Sequence, residues 1–184
     1  MAMSSLSPEI RPLRRAEYDK LVELGVFEDE RIELLEGQLV QMSPIGPPHT
    51  GAVQELNMLL VPPLVGRAIV RIQSPFAAHD TSEPEPDVTI VPTGDYHREH
   101  PSEACLIIEV AQSSLRLDRG QKQRIYAQAG VPEYWIVNVT DRCIEVYTEP
   151  GHEGYASCQV IAHEGSIAPR AFPDVVVEVR RILR

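Results

Sequence analysis

The stretch Leu106-Ile107-Ile108-Glu109-Val110-Ala111 decides the fold, because an apolar run broken by a single carboxylate reads as a strand buried on both faces. On its C-terminal side, residues 116–129 have helical spacing and end at Gly130, with Pro132 just beyond. Another apolar strand follows at residues 133–139. On its N-terminal side, residues 68–76 and 87–91 are short and rich in β-branched residues. Further out, residues 31–42 read as a hairpin turning at Glu36-Gly37, and a helix is expected from about 49 to 60 on a stripe of Val53, Leu56 and Leu60. Pro62 and Pro63 break the apolar run beyond it. A first helix over residues 13–24 places Tyr18, Leu21 and Val22 on one side. Strands at 143–147 and 157–162 complete the pattern, and the strand-like 175–179 suits either the core or an interface. The order points to an α/β (α+β) fold, a mixed central β-sheet flanked by helices. One domain over residues 1–184 is expected, with residues 1–12 as a flexible N-terminus.

Composition narrows the function. The 184 residues are 43% hydrophobic and 24% charged, which describes a globular chain rather than a disordered one. Lys and Arg total 17 against 27 Asp and Glu, a net charge of -10. That weighs against a protein that coats nucleic acid, but not against a small groove that handles phosphate through a metal ion. Aromatics at 5% weigh against a stacking platform. Cys105, Cys143 and Cys158 lack any C-x-x-C spacing, so neither a disulfide framework nor structural zinc is expected. His97-Arg98-Glu99-His100 fits no common zinc ligand set. No apolar run reaches the ~18 residues of a membrane span, and the start lacks the apolar core of a secretory signal; a cytoplasmic location without membrane contact is expected. Dinucleotide, P-loop and serine-hydrolase motifs are absent.

The chemistry concentrates between Glu83 and Lys122. Glu109 interrupts a buried strand, where a carboxylate is costly unless a cation or hydrogen-bond donor meets it. Asp87 opens a neighbouring strand. Two acids on adjacent strands make a seat for Mg²⁺, which takes one or two carboxylates and keeps several waters. Asp118, Lys122, Ile125 and Ala129 share one face of the following helix, so the lysine is aimed at the sheet. Lys20 and Lys122 are the only lysines; every other basic residue is arginine. A compact ammonium near a metal can orient an attacking water. The plain alternatives stand beside this: an i,i+4 helix pair for Asp118 and Lys122, a turn role for Asp87, and a solvent-reaching strand end for Glu109.

The same segments carry a resemblance. Glu85-Pro86-Asp87-Val88, Ile108-Glu109-Val110-Ala111-Gln112-Ser113-Ser114-Leu115, Asp118-Arg119-Gly120-Gln121-Lys122 and the run from Tyr126 to Val137 occur in order. With the hairpin from Ile32 to Val40 and with His49, they resemble the bacterial Uma-type endonuclease family over about residues 13–183. The resemblance implies a restriction-endonuclease-like core of the PD-(D/E)xK superfamily and a Mg²⁺- or Mn²⁺-dependent phosphodiesterase. In that superfamily the lysine usually stands two residues after the glutamate, which here is Ala111. Lys122, on the following helix, takes its place.

By this resemblance Asp87, Glu109 and Lys122 are catalytic, and Asp87, Glu109 and the Val110 carbonyl hold the metal. Glu33, His49 and Gln112 are supporting candidates, although Gln112 stands where relatives often carry an acid or Ser-Pro. Arg116, Arg119 and Arg124 are candidate phosphate contacts or a solvated helix face. The expected substrate is DNA, cut by a homodimer by analogy with two-fold cleavage of two strands. RNA or a smaller nucleic acid is a further candidate substrate. The competing reading is a catalytically inactive module that keeps the nuclease fold for binding or regulation.

Overall fold

The computed structural model describes residues 11–184, so ten of the twelve positions expected as a flexible N-terminus lie outside it. Its centre is a six-stranded sheet in the order β3-β4-β5-β6-β7-β8. These strands are β3 (Ile69–Ile72), β4 (Val88–Val91), β5 (Leu106–Ala111), β6 (Glu133–Asn138), β7 (Cys143–Gly151) and β8 (Gly154–Ala162). Every neighbouring pair is antiparallel except β5 and β6, which run parallel with Glu109 opposite Ile136. A parallel pair needs a crossover. Here it is a helical run over α3 (Leu115–Leu117), a π-helical turn (Asp118–Lys122) and α4 (Gln123–Gln128).

Strand alternation divides the core in two. Val88 and Ile90 of β4, Leu106, Ile108 and Val110 of β5, and Trp135 and Val137 of β6 pack on one face. There they meet α2 (Pro47–Leu64), whose Leu56, Leu60 and Leu64 are fully buried and contribute about 2 kcal/mol each. The C-terminal α5 (Val179–Ile182) joins the same cluster. Val91, Ile107, Ala111, Tyr134 and Ile136 face the other way, against Ile125 and Tyr126 of α4. Glu109 therefore shares its face with Ile107 and Ala111 and looks at the crossover helix.

Over that second face lies the hairpin β1 (Ile32–Leu35) and β2 (Gln38–Gln41). Its two turn residues, Glu36 at φ 49° and Gly37 at φ 78°, give the doubly left-handed turn that matches strand twist. A side chain at Gly37 would collide with Pro12. Ahead of the hairpin, α1 (Arg15–Glu23) buries Tyr18, whose hydroxyl donates to the Ile32 carbonyl at 2.7 Å. The expected apolar face of α1 is narrower than its sequence suggests, since Val22 is half exposed.

Three other elements depart from their sequence spacing. α2 starts at Pro47 and runs through Pro62 and Pro63. A proline at the first helical position loses no bond, because that N–H has no partner in the helix. At the far end, the carbonyls that Pro62 and Pro63 leave unpaired belong to Met58, which is half exposed, and Leu59, which is partly exposed, while buried Leu64 anchors the last turn. The crossover helix is not regular: Gln123 N–H bonds the Asp118 carbonyl five residues back, and Tyr134 O–H donates to the same oxygen at 3.2 Å. β7 and β8 extend to within a two-residue turn of each other, longer than their apolar runs, because backbone pairing continues to Gly151 and Gly154. The 175–179 segment belongs to the core: Val175, Val177 and Val179 are buried, and Val177 pairs with Ile167 across β9 (Ser166–Ile167) and β10 (Val177–Glu178).

Candidate active site

Asp87 stands immediately before β4, where that strand runs out beside the C-terminal half of β5. Pairing between the two ends at Val88 and Ile108, so the next N–H on that edge, Val110, is free to donate to Asp87 Oδ2 at 2.8 Å. His49 Nε2, in the first turn of α2, lies 3.0 Å from the same oxygen, and Gln73 Nε2 donates to Oδ1 at 3.2 Å. Burial would raise this carboxyl, but these donors outweigh it and hold Asp87 below the ordinary 3.8. The Val110 carbonyl leaves β5 on the same edge as its N–H.

One residue earlier, Glu109 Oε1 accepts from Lys122 Nζ at 3.1 Å and from the Tyr126 hydroxyl at 2.6 Å. Lys122 and Tyr126 are four apart on the crossover helix, so both reach one carboxylate. Among the described residues Glu109 Oε2 has no hydrogen-bond partner, and Glu109 lines the cavity beside it. Lys122 Nζ also lies 3.0 Å from Glu33 Oε2 of β1, an oxygen that further accepts the Glu85 N–H at 3.2 Å. Asp118 is buried in the same group, its Oδ2 accepting from Ser114 Oγ at 2.6 Å.

The electrostatics are unbalanced. Glu33, Asp87, Glu109 and Asp118 are all buried around a single buried ammonium. Burial pushes Glu109 well above its usual range despite Lys122, and raises Asp118 to about 6. Burial would lower Lys122, but Glu109, Glu33 and Asp118 raise it further, so it stays protonated. Tyr126 is raised by burial and by Glu109, and remains a donor. A surplus of buried carboxylates is the environment a cation relieves.

These groups open on a cavity of about 530 Å³ between the β1–β2 hairpin, the start of α2 and the crossover helix. Glu33, His49, Asp87, Glu109, Val110, Gln112, Arg116 and Lys122 all line it. Arg119 and Arg124 do not. Arg119 closes on Glu145 with two bonds of 2.9 and 2.6 Å, and Arg124 lies 3.8 Å from Glu36. Arg116 has no carboxylate partner among the described residues. Among those residues no three His, Cys, Asp or Glu side chains form a ready metal cluster. The donor set at hand is instead two carboxylates with a backbone carbonyl, all oxygen, and it suits a hard divalent cation such as Mg²⁺.

Three contributors escaped the sequence reading. Tyr126 was signalled by its spacing from Lys122, and Asp118 was noted only for sharing that helix face. Gln73 carried no signal: it reaches Asp87 from a left-handed backbone position, φ 42°, after β3.

Comparison with known proteins agrees with this architecture. A crystal structure of a putative nuclease belonging to DUF820 from Anabaena variabilis superposes with a TM-score of 0.69 at 15% identity, covering 94% of this chain and 98% of that one. At that identity the likeness shows the fold. No curated protein matches the chain. No helix among the described residues is long and apolar enough to cross a membrane. Residues 15–180 match the family described as "Uma2: Putative restriction endonuclease", and the chain belongs to that family.

Proposed function

We propose that the protein is a Mg²⁺-dependent endonuclease that hydrolyses phosphodiester bonds of DNA. The observation that carries this reading is the surplus of buried carboxylates, Asp87 and Glu109 at its centre, around Lys122 at the wall of one cavity. Asp87, Glu109 and the Val110 carbonyl would hold the ion. When bound, it would neutralise charge that builds on phosphate oxygens. Val110 N–H, His49 and Gln73 keep the Asp87 carboxyl ionised and oriented. Tyr126 and Lys122 fix one oxygen of Glu109, so the other is left for the cavity. The protonated Lys122 orients water beside the scissile phosphate, and Arg116 supplies a phosphate contact at the rim.

The test is a calorimetric titration of Mn²⁺ and Mg²⁺ into the wild type and Glu109→Ala, followed by cleavage of DNA by both. Saturable binding that disappears in the variant, with cleavage falling by about 10³-fold, is the expected outcome. A wild type that binds neither ion, alone or with DNA present, overturns the reading. The full engagement of Lys122 by Glu33 and Glu109 favours a second reading, a non-cutting module of the same fold. That module would bind DNA and leave it intact.

A further inference from the structure

Each acid of the site has one oxygen whose acceptor positions are filled. Glu109 Oε1 meets Lys122 and Tyr126, and among the described residues Oε2 meets no donor. Asp87 Oδ2 meets Val110 N–H and His49 Nε2, which occupy its two lone pairs. Its Oδ1 meets only Gln73 Nε2 among the described residues. The acceptor position of Asp87 that is left for an ion is therefore on Oδ1, beside Gln73.

Gln73 reaches that oxygen at a conformational cost. Pairing of β3 with β4 ends at Ile72 and Val88, so Gln73 comes next and is the cross-strand neighbour of Asp87. Its N–H donates to the Asp87 carbonyl at 3.0 Å and its side chain holds Oδ1 at 3.2 Å, so one residue grips both the backbone and the carboxylate. It does so at φ 42°, in the left-handed region that a side chain disfavours. The other described non-glycine residues in that region, Glu36, Arg142 and Glu149, belong to hairpins. Gln73 instead enters the long connection to β4, where no tight hairpin turn requires it. The chain beyond is pinned, with Ser74 Oγ donating to the Ile72 carbonyl at 2.8 Å and Phe76 N–H to the Pro84 carbonyl at 2.9 Å. Backbone strain that the surroundings hold in place is concentrated at functional sites. Gln73 lies outside the cavity lining, so it acts through Asp87 and not on a substrate.

We infer that Gln73 is a positioning residue for the ion: it fixes the rotation of the Asp87 carboxylate through Oδ1, keeps one acceptor position of that oxygen open to a divalent cation, and holds its left-handed backbone for that contact. This rests on the metal-site reading and adds a residue on which that site depends. The test is a calorimetric titration of Mn²⁺ into the full chain as wild type, Gln73→Gly and Gln73→Met, with the melting temperature of each protein before the ion is added. Glycine removes the strain together with the donor, and methionine removes the donor while keeping the length of the side chain. Both variants should bind Mn²⁺ about 10-fold more weakly, with the melting temperature of Gln73→Gly equal to that of the wild type or above it. A purely structural glutamine would give the opposite split, a lower melting temperature and an unchanged affinity. Wild-type affinity in either variant overturns the inference and leaves the metal site standing. Weaker binding of Gln73→Gly together with a lower melting temperature assigns Gln73 to the fold and overturns it as well. A wild type that binds no Mn²⁺, alone or with DNA present, removes the metal site and the inference with it.

Discussion

The crossover helix carries two buried ionic groups a turn apart, and they are built on opposite logic. Glu145, on β7, accepts two bonds from Arg119, one from Tyr147 O–H at 2.8 Å and one from Asn138 Nδ2 at 3.3 Å. Its donors outweigh burial and hold it below the ordinary 4.5. One carboxylate meets many donors away from the site cavity, which is how a fold fastens a helix to a sheet. At Lys122 the ratio is inverted, with one ammonium among Glu33, Glu109 and Asp118, and the group opens on a chamber. The lesson is that burial of charge alone does not mark a site. An unmet surplus of one sign beside accessible space does.

The widest separation of the two groups should come from Arg119→Ala. Breaking a buried pair costs about 3–5 kcal/mol, and the half-exposed arginine brings the expected loss to about 2–3 kcal/mol in urea unfolding. Mn²⁺ affinity should be unchanged; a variant that loses both would join the two groups into one. Tyr126→Phe removes a donor to Glu109 and keeps the ring that packs against Phe76 and Tyr134. Donors that orient a metal-binding carboxylate are worth about 10–100-fold in metal affinity, so calorimetry should read a loss near the lower end with melting temperature nearly preserved.

The smallest effect is in pH. Asp118 is raised to about 6 from 3.8, so its ionised form is penalised in the folded state and stability rises as pH falls through 6 toward 3.8. Glu145 is lowered, so its contribution is present above 4.5 and is lost only at more acidic pH. Asp118→Asn should therefore raise the melting temperature by a few degrees at pH 8 and by less at pH 5. Glu145→Gln should lower it at both. Identical profiles for the two variants would erase the distinction.

Much of this was legible in the chain. Leu106–Ala111 and Glu133–Asn138 read as buried strands because they lie at the centre of the sheet and need no polar face. The Glu36-Gly37 turn was legible because Gly37 takes a left-handed position that favours glycine. Element ends were not. Pro62 and Pro63 mark a boundary by local preference, and packing of Leu60 and Leu64 overrode it. Nor was the division among the arginines. Arg116, Arg119 and Arg124 look alike in sequence, and only the positions of Glu145 and Glu36 separate two occupied guanidinium groups from one with no carboxylate partner among the described residues.

The sequence by itself determined the family, the two-faced sheet and the residue types from which a site could be made, because strand alternation and helix spacing are local and periodic. Only the tertiary structure decided that Val110 N–H meets Asp87, that Tyr126 and Lys122 share one oxygen of Glu109, and that a hairpin roofs them. Those contacts join segments far apart in the chain. Their geometry depends on how the β4–β5 pairing runs out and on a π-helical turn, and neither leaves a periodic trace in the order of residues.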